Sequence, residues 1–199
     1  MSFLKKIKDN VRDKSRDNFY KHLITLGIDV SLAERGAKEE KLFNPWHRRS
    51  LGIINIHSNS PISYINIIKR DRSKDSPPRW WYYFGIPSKT SKNKSDYIEI
   101  KSTRIKSFPV FGKVESIRWG FNANGEILAE TFTKDPAINS LSMDLGDIKV
   151  QSLHENFSGY SIELEFKGKK SKSTALNINH WGTLNKIAKI FIENKKTNI

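Results

Sequence analysis

The side chains in this chain best suited to chemistry are aromatic and basic. Trp80, Trp81, Tyr82, Tyr83 and Phe84 form an unbroken run. Lys69, Arg70, Arg72, Lys74 and Arg79 precede it, and Lys89, Lys92 and Lys94 follow. On a strand, successive side chains point to opposite faces, so Trp80, Tyr82 and Phe84 share one face and Trp81 and Tyr83 the other. One set is expected to enter a core. The other, if exposed, is a platform on which unpaired bases stack, at ~1–3 kcal/mol per base, while the flanking cations meet phosphates. The expected nucleic-acid contacts are therefore Lys69, Arg70, Arg72, Lys74, Arg79, Trp81, Tyr83, Lys89, Lys92 and Lys94. The competing expectation is a strand buried on both faces, because large aromatics usually lie inside. The run lacks the ribonucleoprotein motif of the RRM fold.

A second chemistry is suggested by Asp96 to Thr103, an apolar strand on which Glu99 and Lys101 are separated by one residue and share a face. This spacing resembles the E-x-K end of the PD-(D/E)xK nuclease motif. The resemblance implies a carboxylate on a divalent metal and a lysine beside the attacking water, and it needs another carboxylate nearby. The preceding strand has none. Asp75 lies 24 residues upstream of Glu99, and Asp96 projects from the opposite face. An ordinary cross-strand charge pair explains E-x-K equally well. His22, His47, His57, His154 and His180 show no metal-ligand spacing, and no Gly-rich phosphate loop or nucleophile elbow occurs. No metal and no cofactor is expected. The segment Pro45 to Ser50, with Trp46, Arg48 and Arg49, suits either a phosphate-contacting loop or a hinge.

Composition narrows the classes. The formal charge is +14 over 199 residues, spread through the four quarters of the chain as +5, +4, +1 and +4, so no basic tail accounts for it. Such a field attracts polyanions only if the clusters meet on one side; otherwise the lysines merely solvate loops. With no cysteine, disulfides, thiolate metal sites and Cys nucleophiles are excluded. No apolar run reaches the ~18–20 residues that span a bilayer, and the first residues lack a signal-peptide core. A soluble cytoplasmic protein is the expectation.

The elements that must position these residues are read from periodicity and turn chemistry. The first 27 residues are expected to be helical, with a second helix from Ser31, whose Glu34 has capping-box spacing, to about Leu42. Together they predict a helical N-terminal arm over 1–45, followed by a single α+β domain over 46–199. Strands are expected at 52–57, 62–70, 79–86, 95–106, 114–121, 126–132, 148–155 and 159–167. Tyr160, Ile162, Leu164 and Phe166 alternate with polar residues, and the short connections predict a mainly antiparallel sheet of about six to eight strands. Asp135 and Pro136 open a short internal helix that Gly146 ends, and a C-terminal helix begins near Asn179 to Thr183.

Three functions follow as expectations. The first is a non-catalytic module that binds an anionic partner such as nucleic acid. The second is a metal-dependent nuclease using Glu99 and Lys101. The third is a structural protein that self-associates, or meets a membrane surface, through residues 1–45. For the membrane, Phe3, Leu4, Ile7 and Val11 with Lys5, Lys6 and Lys8 offer only a marginal anchor.

Overall fold

The computed structural model describes residues 13–42, 48–88, 94–108, 112–153, 157–167 and 176–194. The chain runs α1 (Ser15–Thr25), β1 (Val30–Leu32), β2 (Arg49–Ile56), β3 (Tyr64–Arg70), β4 (Arg79–Pro87), β5 (Glu99–Lys106) and β6 (Val114–Phe121). It continues with α2 (Glu126–Lys134), α3 (Pro136–Leu145), β7 (Ile148–Leu153), β8 (Gly159–Lys167) and α4 (Ile178–Asn194). The strands form one eight-stranded antiparallel sheet in the order β1-β2-β3-β4-β8-β7-β5-β6. The class is α+β, as the alternating strands and short connections predict.

The four helices described cover one face of this sheet. Phe19 of α1 meets Tyr82 edge-on at 4.9 Å, Phe132 of α2 meets Trp119 at 5.0 Å, and Phe191 of α4 meets Tyr160 at 5.0 Å. Ile138, Leu141 and Leu145 of α3 join the same core. Burying each such large apolar side chain stabilises the fold by roughly 1.5–3 kcal/mol. Asp135 caps α3, its carboxylate accepting from the backbone N–H groups of Ala137 and Ile138, and Pro136 fills the first turn.

Three expectations need correction. There is no helical arm over the described part of 1–45: α1 is 11 residues long and packs Phe19 and Leu23 onto the sheet. Residues 1–12 and 43–47 lie outside the described residues. The expected helix from Ser31 is instead β1 followed by a single 3-10 turn at Lys38–Lys41. Val30 and Leu32 extend because pairing with Ile56 and Ile54 satisfies their backbone, and the Ser31 hydroxyl bonds His57 Nε2 at 2.7 Å instead of capping a helix. The stretch from Glu126 to Phe132 is helix, not strand. Leu128, Ala129 and Phe132 are its buried positions, a helical spacing, and Glu, Leu and Ala favour the helix.

β2 has a bulge between Ser50 and Gly52. It shifts the alternation so that Ile54 and Ile56 reach the helix-covered face. Gly52 has φ 114°, and a side chain there would collide with the guanidinium of Arg16, which lies buried under α1.

Candidate functional site

Register across the sheet decides which side chains meet on the face away from the helices. One cross-strand row holds Arg70 and Arg79. The next holds Ile68, Trp81 and Glu165, and a third runs through Asn66, Tyr83, Glu163, Lys149 and Lys101. Ile68, Trp81 and Tyr83 form a small apolar cluster of their own. The Arg48 guanidinium lies over the Trp81 ring at 3.9 Å from its centroid, a cation–π contact. Arg48 and Glu163 also bond the Tyr83 hydroxyl. Burial, with Glu163 adding to it, pushes the Tyr83 phenol far above its ordinary value.

Trp81 and Tyr83 are therefore 4% and 3% exposed, while Trp80, Tyr82 and Phe84 are buried in the main core. Both faces of β4 are occupied, and no ring of the aromatic run is open to stack on a base.

The expected cations do not gather as one group. Lys69 turns to the helix-covered face, where its ammonium lies 2.6 Å from Asp13 and 3.2 Å from Asp71, above the Trp80 ring. Its side chain is 15% exposed. Arg49 joins it by binding Asp71 through two nitrogens. Arg49 first, then Lys69, holds the Asp71 carboxyl below its ordinary value. Burial pushes the Asp13 carboxyl up, but Lys69 and Ser15 outweigh it and leave the group lowered.

Arg70 and Arg79 stand opposite each other on the other face. Arg79 Nη1 lies 3.1 Å from a Glu165 carboxylate oxygen, and Arg70 Nη2 donates to the Ser76 hydroxyl at 3.1 Å. The Nε–H groups of Arg48, Arg70 and Arg79 are buried with no hydrogen-bond partner. Arg72 and Lys74 are exposed in the β3–β4 hairpin loop, which a Ser73–Ser76 bridge closes.

Lys94 follows the other end of β4. The nine residues of that strand put its two ends about 27 Å apart. The residues at 69–79 and at 94 thus belong to opposite ends of the sheet, and Lys89 and Lys92 lie outside the described residues. Arg104, paired with Asp147 at 3.1 Å, lies at the Arg79 end beside Gly146 and was not foreseen. Arg48 is legible in the sequence as a basic doublet with Arg49 in the segment Pro45 to Ser50, but not as a residue that meets Trp81.

Glu99 and Lys101 do share a face, bordering a shallow cleft of about 350 Å³ with Tyr97, Gly120, Phe121 and Asn122. The Glu99 carboxylate is already occupied. Tyr97 donates its hydroxyl at 2.6 Å, and Lys149 lies at 2.9 Å. Burial raises the Glu99 carboxyl, and these donors more than offset it, leaving the group lowered. Glu163 behaves oppositely: burial holds its carboxyl above the ordinary value despite Lys149 and Arg48. Among the described residues no three His, Cys, Asp or Glu side chains converge to hold a metal. His22, His57 and His180 contact Leu176, Ser31 and Asp144 separately.

Compared with known proteins, the chain matches no family model, no curated protein and no solved structure. Among the described residues no helix is long and apolar enough to cross a membrane.

Proposed function

We propose that this protein is a non-catalytic module that binds nucleic acid through phosphate contacts at one end of its sheet. The observation that supports this reading is the convergence of Arg48, Arg70, Arg72, Lys74 and Arg79 around the start of β4 and the hairpin before it. Arg49 and Arg104 lie at the same end on the helix-covered face, both paired with aspartates. Stacking on bases has no part in the reading, because Trp81 and Tyr83 are buried under Arg48 and its surroundings. Recognition is then of backbone charge, with little distinction between single strands and duplexes.

The test is a fluorescence-anisotropy titration with labelled single-stranded and duplex oligonucleotides at rising salt. Both are expected to bind at low salt and to weaken steeply as bound counterions are released. Replacing Arg72 and Lys74 together by Glu is expected to weaken both equally. A flat titration at low salt would overturn the reading.

A further inference from the structure

We propose that Arg70 and Arg79 form a seat for a single phosphate of the nucleic-acid backbone, with Arg48 as its rear wall; this rests on the reading above and names the contact at its centre. Their register is direct, so their Cβ atoms are about 4.5–5.5 Å apart on one face of adjacent strands. Like charges so placed repel unless something anionic lies between them. The carboxylate at hand, Glu165, bonds Arg79 through one terminal nitrogen, while the bonded partner of Arg70 is a neutral hydroxyl, Ser76. Two arginine side chains thus start from neighbouring positions on one face, each with an Nε–H donor unused.

The orphaned Nε–H groups point the same way. A buried donor without a partner is costly, and three occur here, on Arg48, Arg70 and Arg79. An arginine's planar fork donates through Nε and a terminal nitrogen together, which matches two oxygens of a phosphate. A modest rotation of these long side chains turns both forks toward one anion lying over the Arg70–Arg79 row. Arg48 is already ordered by its stack on Trp81, two residues along β4 from Arg79 and on the same face, so little freedom remains to be lost on binding.

The hairpin supplies the approach. Arg72 and Lys74 are exposed just beyond Arg70 and act as point charges that steer the strand in. The two groups of cations therefore differ in kind. Fork geometry matters at Arg70 and Arg79, and only charge matters at Arg72 and Lys74.

Arg70→Lys, Arg79→Lys and Arg72→Lys separate these roles, because each keeps its charge and loses its fork. Oligonucleotide affinity is expected to fall about tenfold for the first two and by less than about twofold for the third. The dependence of log affinity on log salt should keep its slope in all three, since no charge is removed. If a variant fails to fold, arginine Nε–H resonances of the wild-type protein replace it, and those of Arg70 and Arg79 should shift on adding oligonucleotide. Oligonucleotide binding with unaltered lysine variants and unshifted resonances would overturn the seat while leaving the broader reading intact. Absence of any binding at low salt would overturn both.

Discussion

Tyr82 and Tyr83 are neighbours in sequence and both are buried, yet they serve the two faces of the sheet in different ways. Tyr82 packs against Phe19 in a continuous apolar layer under four helices. Tyr83 lies with Ile68 and Trp81 in a small cluster, and its hydroxyl is shared between Arg48 and Glu163. The first face derives its stability from area removed from water. The second buries its aromatics with the help of charge, and the Arg48 guanidinium is held in place by the Trp81 ring below it. Burial of an aromatic residue thus does not remove it from the candidate site; Trp81, closed as a base platform, is the support on which Arg48 rests.

The comparison can be broken most sharply on the helix-covered face. Phe132, fully buried between Trp119 and Phe191, should cost about 3–5 kcal/mol on change to Ala, read as a shift of the denaturation midpoint. Oligonucleotide affinity of the folded variant should be unchanged. Tyr83→Phe acts on the other face and removes one hydroxyl from Arg48 and Glu163. Leaving those half-buried groups short of a partner should cost about 1–3 kcal/mol, a smaller loss measured in the same way. An equal or greater loss than at Phe132 would mean that the two faces are not built differently.

Glu163→Gln tests the electrostatics with a definite sign. The folded carboxyl titrates above its ordinary value of 4.5, so the native site favours the neutral form. Its contribution is fully present below that value and is lost as pH rises through the folded value. Glutamine keeps the neutral form. The variant should therefore melt higher than the wild type at about pH 7, with the difference vanishing near pH 4. A lower melting temperature at neutral pH would show that the pairing of Glu163 with Lys149 and Arg48 outweighs its burial. The smallest effect is expected at Arg49→Gln. That guanidinium and Asp71 are both more than half exposed, and such a pair contributes about 0–1 kcal/mol.

Much of this architecture is legible where local signals and tertiary demands agree. Tyr160, Ile162 and Leu164 alternate with polar residues and form β8 as read, and Asp135-Pro136 opens α3 where capping chemistry places it. The misreadings arise where they disagree. Ser31 and Glu34 have capping-box spacing, but pairing of β1 with β2 overrides it. The stretch from Glu126 to Phe132 offers too few residues to separate a period of 2 from one of 3.6.

The candidate site is harder to read because it depends on register. Arg70 and Arg79 are nine positions apart and become neighbours only through the hairpin pairing, whereas Lys94, further along the chain, follows the opposite end of the strand. Nor does alternation along β4 disclose that both of its faces are covered. That depends on Arg48, more than thirty positions away from Trp81, and on the 3-10 turn from which Glu39 and Leu42 carbonyls accept bonds from Asn66.

The central claim is that this end of the sheet reads phosphates and not bases. Its most direct test compares an oligonucleotide with an abasic strand of the same length at fixed low salt. Backbone contacts alone predict affinities equal within about twofold and the same dependence on salt. Base stacking at Trp81 or Tyr83 would instead weaken the abasic strand by ~1–3 kcal/mol per base, about fivefold or more for each ring engaged, and that result would contradict the account.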